Sequence, residues 1–391
     1  MYKKIRFKRV LFLAIILIPF WLWLAWFLTP KRKFVAAIID KTVLTSDGQE
    51  HISLTWVLKH QRFTKTLSKL YQIDDYFGFF PLDEQQYKLK GLERFNESQL
   101  EQLSQDSDLT FYTDTYGIYR EEWFSGKSQT ERSGILYGGM ANQDVSFLKK
   151  MKSKHKLIMM EFNDINSPTS LAVRKNYETE FGIHWTGWIG RYFSSLDTTI
   201  NEELPHWLVR NYRKKHHGEW PFTKSGIAFV NEKDEVVVLE KDTHLRTEVP
   251  FMSSTKFGQE YFKLPQYTKF PYWFDILENN PKVNRIVSYH NIDANIQGKK
   301  ILARYHIPTQ FPGIVMHKAA DYEFYYFSGD FSDNPIGLTS AYFKGIEYVA
   351  PYMFTDADLS DRNEFFWEIY QPMTTRILED YYQKINKKPN D

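Results

Sequence analysis

An uncharged apolar run near the N-terminus constrains the fold of this chain most. The run has the sequence VLFLAIILIPFWLWLAWFL and covers residues 10–28. As an α-helix with a rise of about 1.5 Å per residue it would measure about 28 Å, which is close to the thickness of a bilayer's hydrocarbon core. Trp21, Trp23 and Trp26 lie in its second half, and such rings favour the lipid–water boundary. The sequence therefore predicts a transmembrane helix over residues 10–28.

The basic residues around this run are distributed unequally, with five before it and three directly after it. This bias predicts a cytoplasmic basic tail over residues 1–9 and an extracytoplasmic C-terminal part, so that the protein is a single-pass protein of the cell membrane. A cleaved signal peptide and the reverse orientation are the alternatives. The apolar core is long for a signal peptide, and Thr29-Pro30-Lys31-Arg32 does not resemble a small-residue cleavage site.

Composition excludes several classes of function. The 391 residues include no cysteine, which rules out disulfides, thiolate metal sites and a cysteine nucleophile. The net charge of +2 predicts no nucleic-acid partner. Aromatic residues make up 17% of the chain. Tyrosine and tryptophan fill cores, but they also present apolar faces with a polar edge to sugars, so an aromatic-rich core and a glycan-binding cleft both remain open.

Residues 34–183 alternate between short buried strands and amphipathic helices. The predicted strands include 109–113, 134–137 and 156–160, and the predicted helices include 143–152 and a helix that begins at Ser167-Pro168 and ends at Gly182. Such alternation predicts an α/β domain with a doubly wound parallel sheet.

Polar residues and glycines follow these strands, at the sheet edge where α/β proteins bind ligands. Asp114 and Glu161 are the candidate catalytic residues of this half. The candidate substrate-binding residues are Tyr116, Gly138, Gly139 and Asn163. The alternative is that they are ordinary turn residues, since Asp, Asn and Gly are common in turns.

This order of elements resembles the class I glutamine-amidotransferase-like fold over residues 34–183. The resemblance depends on the loop Asp114-Thr115-Tyr116-Gly117, on the Gly138-Gly139 loop and on the strand that ends in Glu161. Amidotransferases of this class use a cysteine at a sharp strand–helix turn. Because this chain has no cysteine, the resemblance implies the scaffold without that activity.

Residues 184–391 are rich in aromatic residues and predict an α+β domain with antiparallel strands and a C-terminal helix. The predicted elements are a hairpin over 226–240, strands over 283–293, 299–306, 313–317 and 323–328, and a helix over 361–382 that Pro372 kinks.

Further candidate site residues lie in this second half. Asp330 is a candidate catalytic residue because it directly follows an apolar strand. The candidate substrate-binding residues are Trp188, Arg191, Tyr192, Asp275 and Asp333. Paired carboxylates, one with a raised pKa, are what glycosidic cleavage requires. The sequence predicts no metal site and no cofactor, but it leaves open whether a metal joins the carboxylates.

Two functions follow from these patterns. In the first, the protein is membrane-anchored and extracytoplasmic, binds cell-envelope or exopolysaccharide glycan, and cleaves or modifies it through the acidic residues at the strand ends. In the second, it is a non-catalytic scaffold subunit of a membrane-bound complex for polysaccharide synthesis or export. The predicted partners are accordingly the membrane and either glycan or envelope-complex proteins, and the sequence does not decide whether the chain is an enzyme.

Overall fold

The computed structural model describes residues 17–125, 133–353 and 358–387. Its strands are β1 Arg32–Lys33, β2 Ala36–Asp40, β3 Phe63–Thr64, β4 Phe77–Pro81, β5 Tyr87–Leu89, β6 Leu109–Asp114, β7 Ile118–Tyr119, β8 Ile135–Tyr137, β9 Leu157–Glu161, β10 Ile183–Phe193, β11 Gly226–Asn231, β12 Val236–Glu240, β13 Phe251–Ser254, β14 Tyr267–Lys269, β15 Trp273–Asn279, β16 Arg285–Asn291, β17 Gln310–Lys318 and β18 Glu323–Phe327.

The α-helices connect these strands or pack on them. They are α1 Ile18–Leu28, α2 Ile52–His60, α3 Glu97–Asp106, α4 Arg120–Ser125, α5 Asn142–Ser153, α6 Leu171–Phe181, α7 His206–Lys215, α8 Lys256–Phe262, α9 Ile296–Arg304, α10 Asn363–Phe365 and α11 Gln371–Asn386. Short 3-10 segments lie at Gln49–His51, Leu92–Arg94, Leu338–Tyr342, Ile346–Tyr348 and Ala350–Met353, and a π-helical turn lies at Phe366–Tyr370.

A ten-stranded mixed sheet organises the molecule, in the order β14-β13-β16-β17-β18-β9-β6-β2-β4-β5. Five adjacent strands, β18, β9, β6, β2 and β4, are parallel to one another. Antiparallel strands extend the sheet beyond β18 on one side and beyond β4 on the other. The predicted fold class, a doubly wound parallel sheet followed by an α+β part with antiparallel strands, is therefore wrong, because the main sheet is mixed. Strands from both halves of the chain form one mixed sheet, because β18 pairs with β9 in parallel register.

The parallel strands are apolar on both faces because helices cover both sides of the sheet. In β6, Phe111 belongs to the same buried cluster as Trp56 of α2, whereas Tyr112 belongs to the opposite cluster with Leu148 of α5. Successive side chains of a strand point to opposite faces, so both faces must be apolar. The continuous apolar sequences at 109–113 and 156–160 therefore explain why these segments form the buried strands β6 and β9.

A second, four-stranded antiparallel sheet has the order β12-β11-β10-β15. The predicted hairpin over 226–240 is present as β11 and β12. A bridge between Phe274 and Gly329 joins β15 to the chain just after β18. This link brings β10 and β15 to the carboxyl ends of the parallel strands, where the candidate site lies.

Three local predictions differ from the structure. The 134–137 strand is present as β8, but it pairs with β7 in a separate ribbon and not with the main sheet. Helix α6 begins at Leu171 with Ser170 as its N-cap, and not at Ser167-Pro168. The segment 299–306 is mainly helical, because Asn295 accepts a hydrogen bond from the Gly298 amide and caps α9. This segment contains few of the β-branched and aromatic residues that favour strands, so the N-cap at Asn295 determines that it is helical.

The C-terminal helix shows what a proline does inside a helical segment. The π-helical turn Phe366–Tyr370 directly precedes α11, and Pro372 lies in the first turn of α11. Proline lacks an amide hydrogen and its ring crowds the carbonyl four residues earlier, so the regular hydrogen-bond ladder is interrupted there.

The predicted membrane anchor is not found among the residues that the structure describes. Helix α1 has 11 residues, or about 16 Å at 1.5 Å per residue. Its Trp26 is buried, donates from Nε1 to the Lys59 carbonyl at 3.1 Å and packs edge-on against Tyr342. Among the described residues, no helix has both the length and the apolar character needed to cross a bilayer. This finding contradicts the predicted single-pass anchor and the cell-membrane localisation that followed from it; residues 1–16, which include the basic tail and the first seven residues of the predicted span 10–28, lie outside the described residues.

Candidate functional site

A cavity of about 400 Å³ opens at the carboxyl ends of the parallel strands. Its walls come from the loop after β2, the loop after β6, the start of the β9–α6 loop, strands β10 and β15, and the segment after β18. Its acidic lining residues are Glu50, Asp114, Glu122, Glu203 and Asp330, and its aromatic lining residues are Tyr116, Phe162, Trp207, Tyr272 and Trp273. Thr42, Gln49, Asn163 and Arg191 complete the polar lining. The structure thus brings five of the predicted site residues to one cavity.

Asp114 is the last residue of β6 and lines this cavity. Its Oδ1 accepts hydrogen bonds from Thr42 Oγ1 at 2.7 Å and from the Tyr116 amide, and its Oδ2 accepts one from Asn163 Nδ2 at 3.4 Å. Burial raises the pKa of Asp114 to about 7, although the bonds from Thr42 and Tyr116 oppose this. Near neutral pH this carboxyl group can therefore hold or release a proton.

Glu161 ends β9 and is 1% exposed. Thr113 Oγ1 donates to its Oε1 at 3.2 Å, and Oε2 accepts no hydrogen bond from the described residues. Burial first, and then the negative charge of Asp330, raise the pKa of Glu161 well above its ordinary value. Glu161 thus belongs to the site but lies behind the cavity wall.

Asp330 and Asp333 follow β18 and lie beside Glu50, with one carboxylate oxygen from each within 4.8 Å of the others. Asp333 accepts hydrogen bonds from Gln49 Nε2 at 2.8 Å and Arg362 Nη1 at 2.9 Å. Burial and then the neighbouring carboxylates raise the pKa values of Glu50 and Asp330 well above normal. We call Glu50, Asp330 and Asp333 the acidic triad.

Sequence reasoning missed Asp40, Glu50, His51 and Arg362. Asp40 ends β2 as Asp114 ends β6, so the strand-end pattern could have found it. Its Oδ2 lies 2.6 Å from Nδ1 of His51, whose Nε2 lies 2.6 Å from the Ile73 carbonyl. Glu50 and Arg362 come from a turn and from the C-terminal segment, and no local pattern marks either as a site residue.

The remaining predicted site residues lie elsewhere. Gly138 and Gly139 line a separate cavity of about 240 Å³ beside Lys41, because β8 is not part of the main sheet. Trp188 and Tyr192 alternate with Arg191 on β10, so they point to the opposite face and are buried. Asp275 is fully buried and accepts hydrogen bonds from Asn166 Nδ2 and Tyr326.

Arg191 reaches the cavity but is already paired. Its guanidinium forms a salt bridge with Glu203 and lies 4.9 Å from the centre of the Tyr272 ring. Arg362 lies 3.9 Å from the centre of the same ring. Two guanidinium groups therefore hold Tyr272 in place at the cavity wall.

No protein-family model matches the chain, and no curated protein matches it. Among solved structures, a ThuA-like protein from Parabacteroides merdae is similar with a TM-score of 0.37 and 9% identity, over 81% of this chain and 90% of that one. A β-galactosidase from Bacillus circulans sp. alkalophilus is similar with a TM-score of 0.27 and 7% identity, over 61% of this chain; this chain spans 22% of that enzyme. These scores carry no functional argument, and the amidotransferase-like resemblance stays a prediction.

Proposed function

We propose that this protein binds an oligosaccharide in the acidic cavity. The observation that carries the proposal is the lining, in which aromatic side chains stand beside several carboxylates at the carboxyl edge of a parallel sheet. Aromatic rings pack on the apolar faces of sugars, and carboxylates accept hydrogen bonds from their hydroxyl groups. Because the membrane anchor is absent from the described residues, this proposal rests on the cavity and not on a cellular compartment.

The cavity suits a sugar chain longer than one ring. A smaller cavity of about 100 Å³ shares Tyr116, Asn163 and Ile189 with it, and is also lined by Asn166 and Asn231. Amide side chains both donate and accept hydrogen bonds, as sugar hydroxyls do. The excess of carboxylates favours a neutral or amino sugar over a uronic acid, because like charges repel.

Sugar binding can be tested at Tyr116, one of the three residues that both cavities share. Replacing Tyr116 with alanine removes a ring face, and we expect it to weaken oligosaccharide binding about tenfold, which corresponds to about 1.4 kcal/mol. The measurement is isothermal titration calorimetry against soluble oligosaccharides of glucose, galactose, N-acetylglucosamine and glucuronic acid.

Tyr267→Ala is the matched control for Tyr116→Ala. Tyr267 is 60% exposed on β14, the strand at one edge of the main sheet, and it does not line either cavity. We expect it to bind as the unaltered protein does. Equal loss in both variants, or no binding of any of these sugars by the unaltered protein, would contradict the proposal.

Cleavage of the bound glycan is the second candidate function, and the pKa of Asp114 near 7 favours it. In this step the Asp114 carboxyl gives its proton to the glycosidic oxygen, and the bond from that oxygen to the anomeric carbon breaks. A water oxygen bonds to the carbon, and the proton that the water loses passes to the surrounding carboxylates and restores Asp114. One water is consumed and two sugar products form.

The scaffold hypothesis predicts a filled crevice, because an interaction surface needs no space for a ligand. The open 400 Å³ cavity favours carbohydrate binding over a purely structural role. Chemical crosslinking of the protein in its host cells would separate the two. A stable protein complex together with no affinity for sugars would favour the scaffold.

A further inference from the structure

We propose that Glu50, Asp330 and Asp333 bind one Ca²⁺ ion at the wall of the acidic cavity. Each offers a carboxylate oxygen, and the three oxygens lie within 4.8 Å of one another. Ca²⁺ takes six to eight oxygens at roughly 2.3–2.6 Å, so opposite ligands are about 4.8 Å apart. The separations of the three oxygens are therefore within the range that one Ca²⁺ ion can bridge.

A second observation points to the same ion. Glu161 is 1% exposed, and its Oε2 accepts no hydrogen bond from the described residues. Thr113 Oγ1 lies within hydrogen-bond distance of both Glu161 Oε1 and the backbone carbonyl oxygen of Glu50, which places the Glu161 carboxyl group next to this residue of the triad. A buried carboxylate oxygen without a donor is costly, and a cation would satisfy it.

The charges around the triad favour a divalent ion. Arg362 is the cation that contacts the triad among the described residues, through Asp333. One guanidinium faces the three carboxylates of the triad and that of Glu161. Burying several like charges with one counter-charge is unfavourable unless protons or a cation neutralise them.

The donor atoms select the type of ion. All of them are carboxylate oxygens, which favour hard ions such as Ca²⁺, Mg²⁺ and Mn²⁺ over Zn²⁺ or Cu²⁺. His51 is adjacent in sequence, but both of its ring nitrogens face other partners. Ca²⁺ tolerates irregular geometry, whereas Mg²⁺ requires a near-ideal octahedron at about 2.1 Å. The triad comes from the 3-10 turn Gln49–His51 and from the segment after β18, which suits the more tolerant ion.

The site would deepen the proposed function, and in this respect it rests on that proposal. Asp330 and Glu50 both line the cavity, so an ion held by them faces the space where a sugar binds. Ca²⁺ that keeps water ligands can exchange two of them for neighbouring hydroxyl groups of a sugar. The ion itself would bind in the absence of any carbohydrate.

The experiment is calorimetric titration of chelator-treated full-length protein with CaCl₂, without any sugar. We expect one Ca²⁺ per chain, and a loss of affinity of more than about tenfold in Asp330→Asn and in Glu50→Gln, since even partners outside the ligand shell contribute that much. Glu203→Gln is the matched control, because Glu203 lines the same cavity but is not in the triad. Its Ca²⁺ affinity should equal that of the unaltered protein. Circular dichroism establishes that each variant is folded.

Two outcomes would overturn the inference. One is the absence of binding at about 10 mM Ca²⁺, which exceeds the dissociation constants of the weakest protein sites. The other is undiminished binding in folded Asp330→Asn and Glu50→Gln, which would place the ion elsewhere. Because the titration contains no sugar, a negative result leaves the oligosaccharide proposal intact. Conversely, a protein that binds Ca²⁺ but no sugar supports the ion site and contradicts only the proposed function.

Discussion

Replacing Lys41 with methionine is expected to lower the free energy of unfolding by about 3–5 kcal/mol. Lys41 follows β2, and its Nζ lies 2.7 Å from Asp144 Oδ2 and 3.0 Å from the Gly139 carbonyl. Both side chains of the ion pair are buried, at 2% and 0% exposure. Methionine keeps the length of the side chain but leaves the Asp144 carboxylate buried without its counter-ion.

Asp144 has a second structural role, which determines the design of the test. Its Oδ2 accepts a hydrogen bond from the Ala141 amide at 2.6 Å, and Tyr112 donates to its Oδ1 at 3.2 Å. Asp144→Asn keeps an acceptor for helix α5 while removing the charge. The double variant Lys41→Met/Asp144→Asn should therefore recover a large part of the stability that Lys41→Met loses.

The measurement is urea denaturation followed by circular dichroism, with all variants compared at the same pH. The matched control is the exposed pair of Lys224 and Asp242, whose atoms lie 3.0 Å apart with 53% and 65% of the side chains exposed. Lys224→Met should leave the unfolding midpoint nearly unchanged, because exposed ion pairs contribute little. Unfolding of Lys41→Met at the same midpoint as the unaltered protein would contradict the prediction.

The Lys41 pair also shows what local sequence patterns can and cannot predict. The apolar runs of β6 and β9 and the polar residues that follow them are local, so Asp114 and Glu161 could be placed at a sheet edge from the sequence. The Lys41–Asp144 pair joins residues 103 positions apart. No periodicity of either segment indicates that these two side chains meet.

The same limit applies to the acidic triad. Glu50 lies in a turn between a buried strand and a helix, and Asp333 meets Gln49 over a separation of 284 positions. The parallel pairing of β18 with β9 brings the segment after β18 to the same sheet edge as the loop after β2. No local sequence pattern predicts a pairing between strands from the two halves of the chain. Arg362 arrives from the C-terminal segment, so its role as the counter-ion of Asp333 emerges only from the fold.

The anchor prediction failed for a related reason. An apolar run is compatible both with a bilayer and with packing on a protein surface, and its length is the usual discriminator. In the structure, Trp26 of α1 packs against protein groups, and the Arg62 guanidinium lies 4.6 Å from the centre of its ring. Arg62 also donates to the Trp26 carbonyl at the end of the helix. Trp26 is the buried residue of α1, so contacts with distant residues account for this side chain, whereas Phe20 and Trp21 are exposed.

Asp114→Asn is expected to reduce glycan cleavage by a factor of about 10² to 10⁴ while leaving sugar binding nearly unchanged. The asparagine Oδ1 can still accept the hydrogen bonds from Thr42 and Tyr116, so the loop after β6 keeps its shape. What it loses is the proton that the leaving sugar requires. The measurement is the release of reducing ends from the oligosaccharide that binds most tightly in the calorimetric panel.

The pH profile gives an independent test of the same residue. The donor is active only in its protonated form, and burial raises the pKa of Asp114 to about 7. The rate should therefore be highest below pH 7 and fall about tenfold for each further pH unit above it. A profile with no inflection near pH 7, in a protein that remains folded, would contradict the assignment of Asp114 as the donor.

Asp275→Asn is the control for Asp114→Asn. It tests whether removing any buried carboxyl group at this sheet edge reduces cleavage, or only removing the proton donor. Burial raises the pKa of Asp275 to about 7 as well, but this residue is 0% exposed and does not line the cavity. Its variant should retain cleavage and the same pH profile, since its carboxyl group has no access to the substrate. If both variants lost activity equally, the effect would come from the fold of the sheet edge. If Asp114→Asn alone lost it, the proton donor would be assigned.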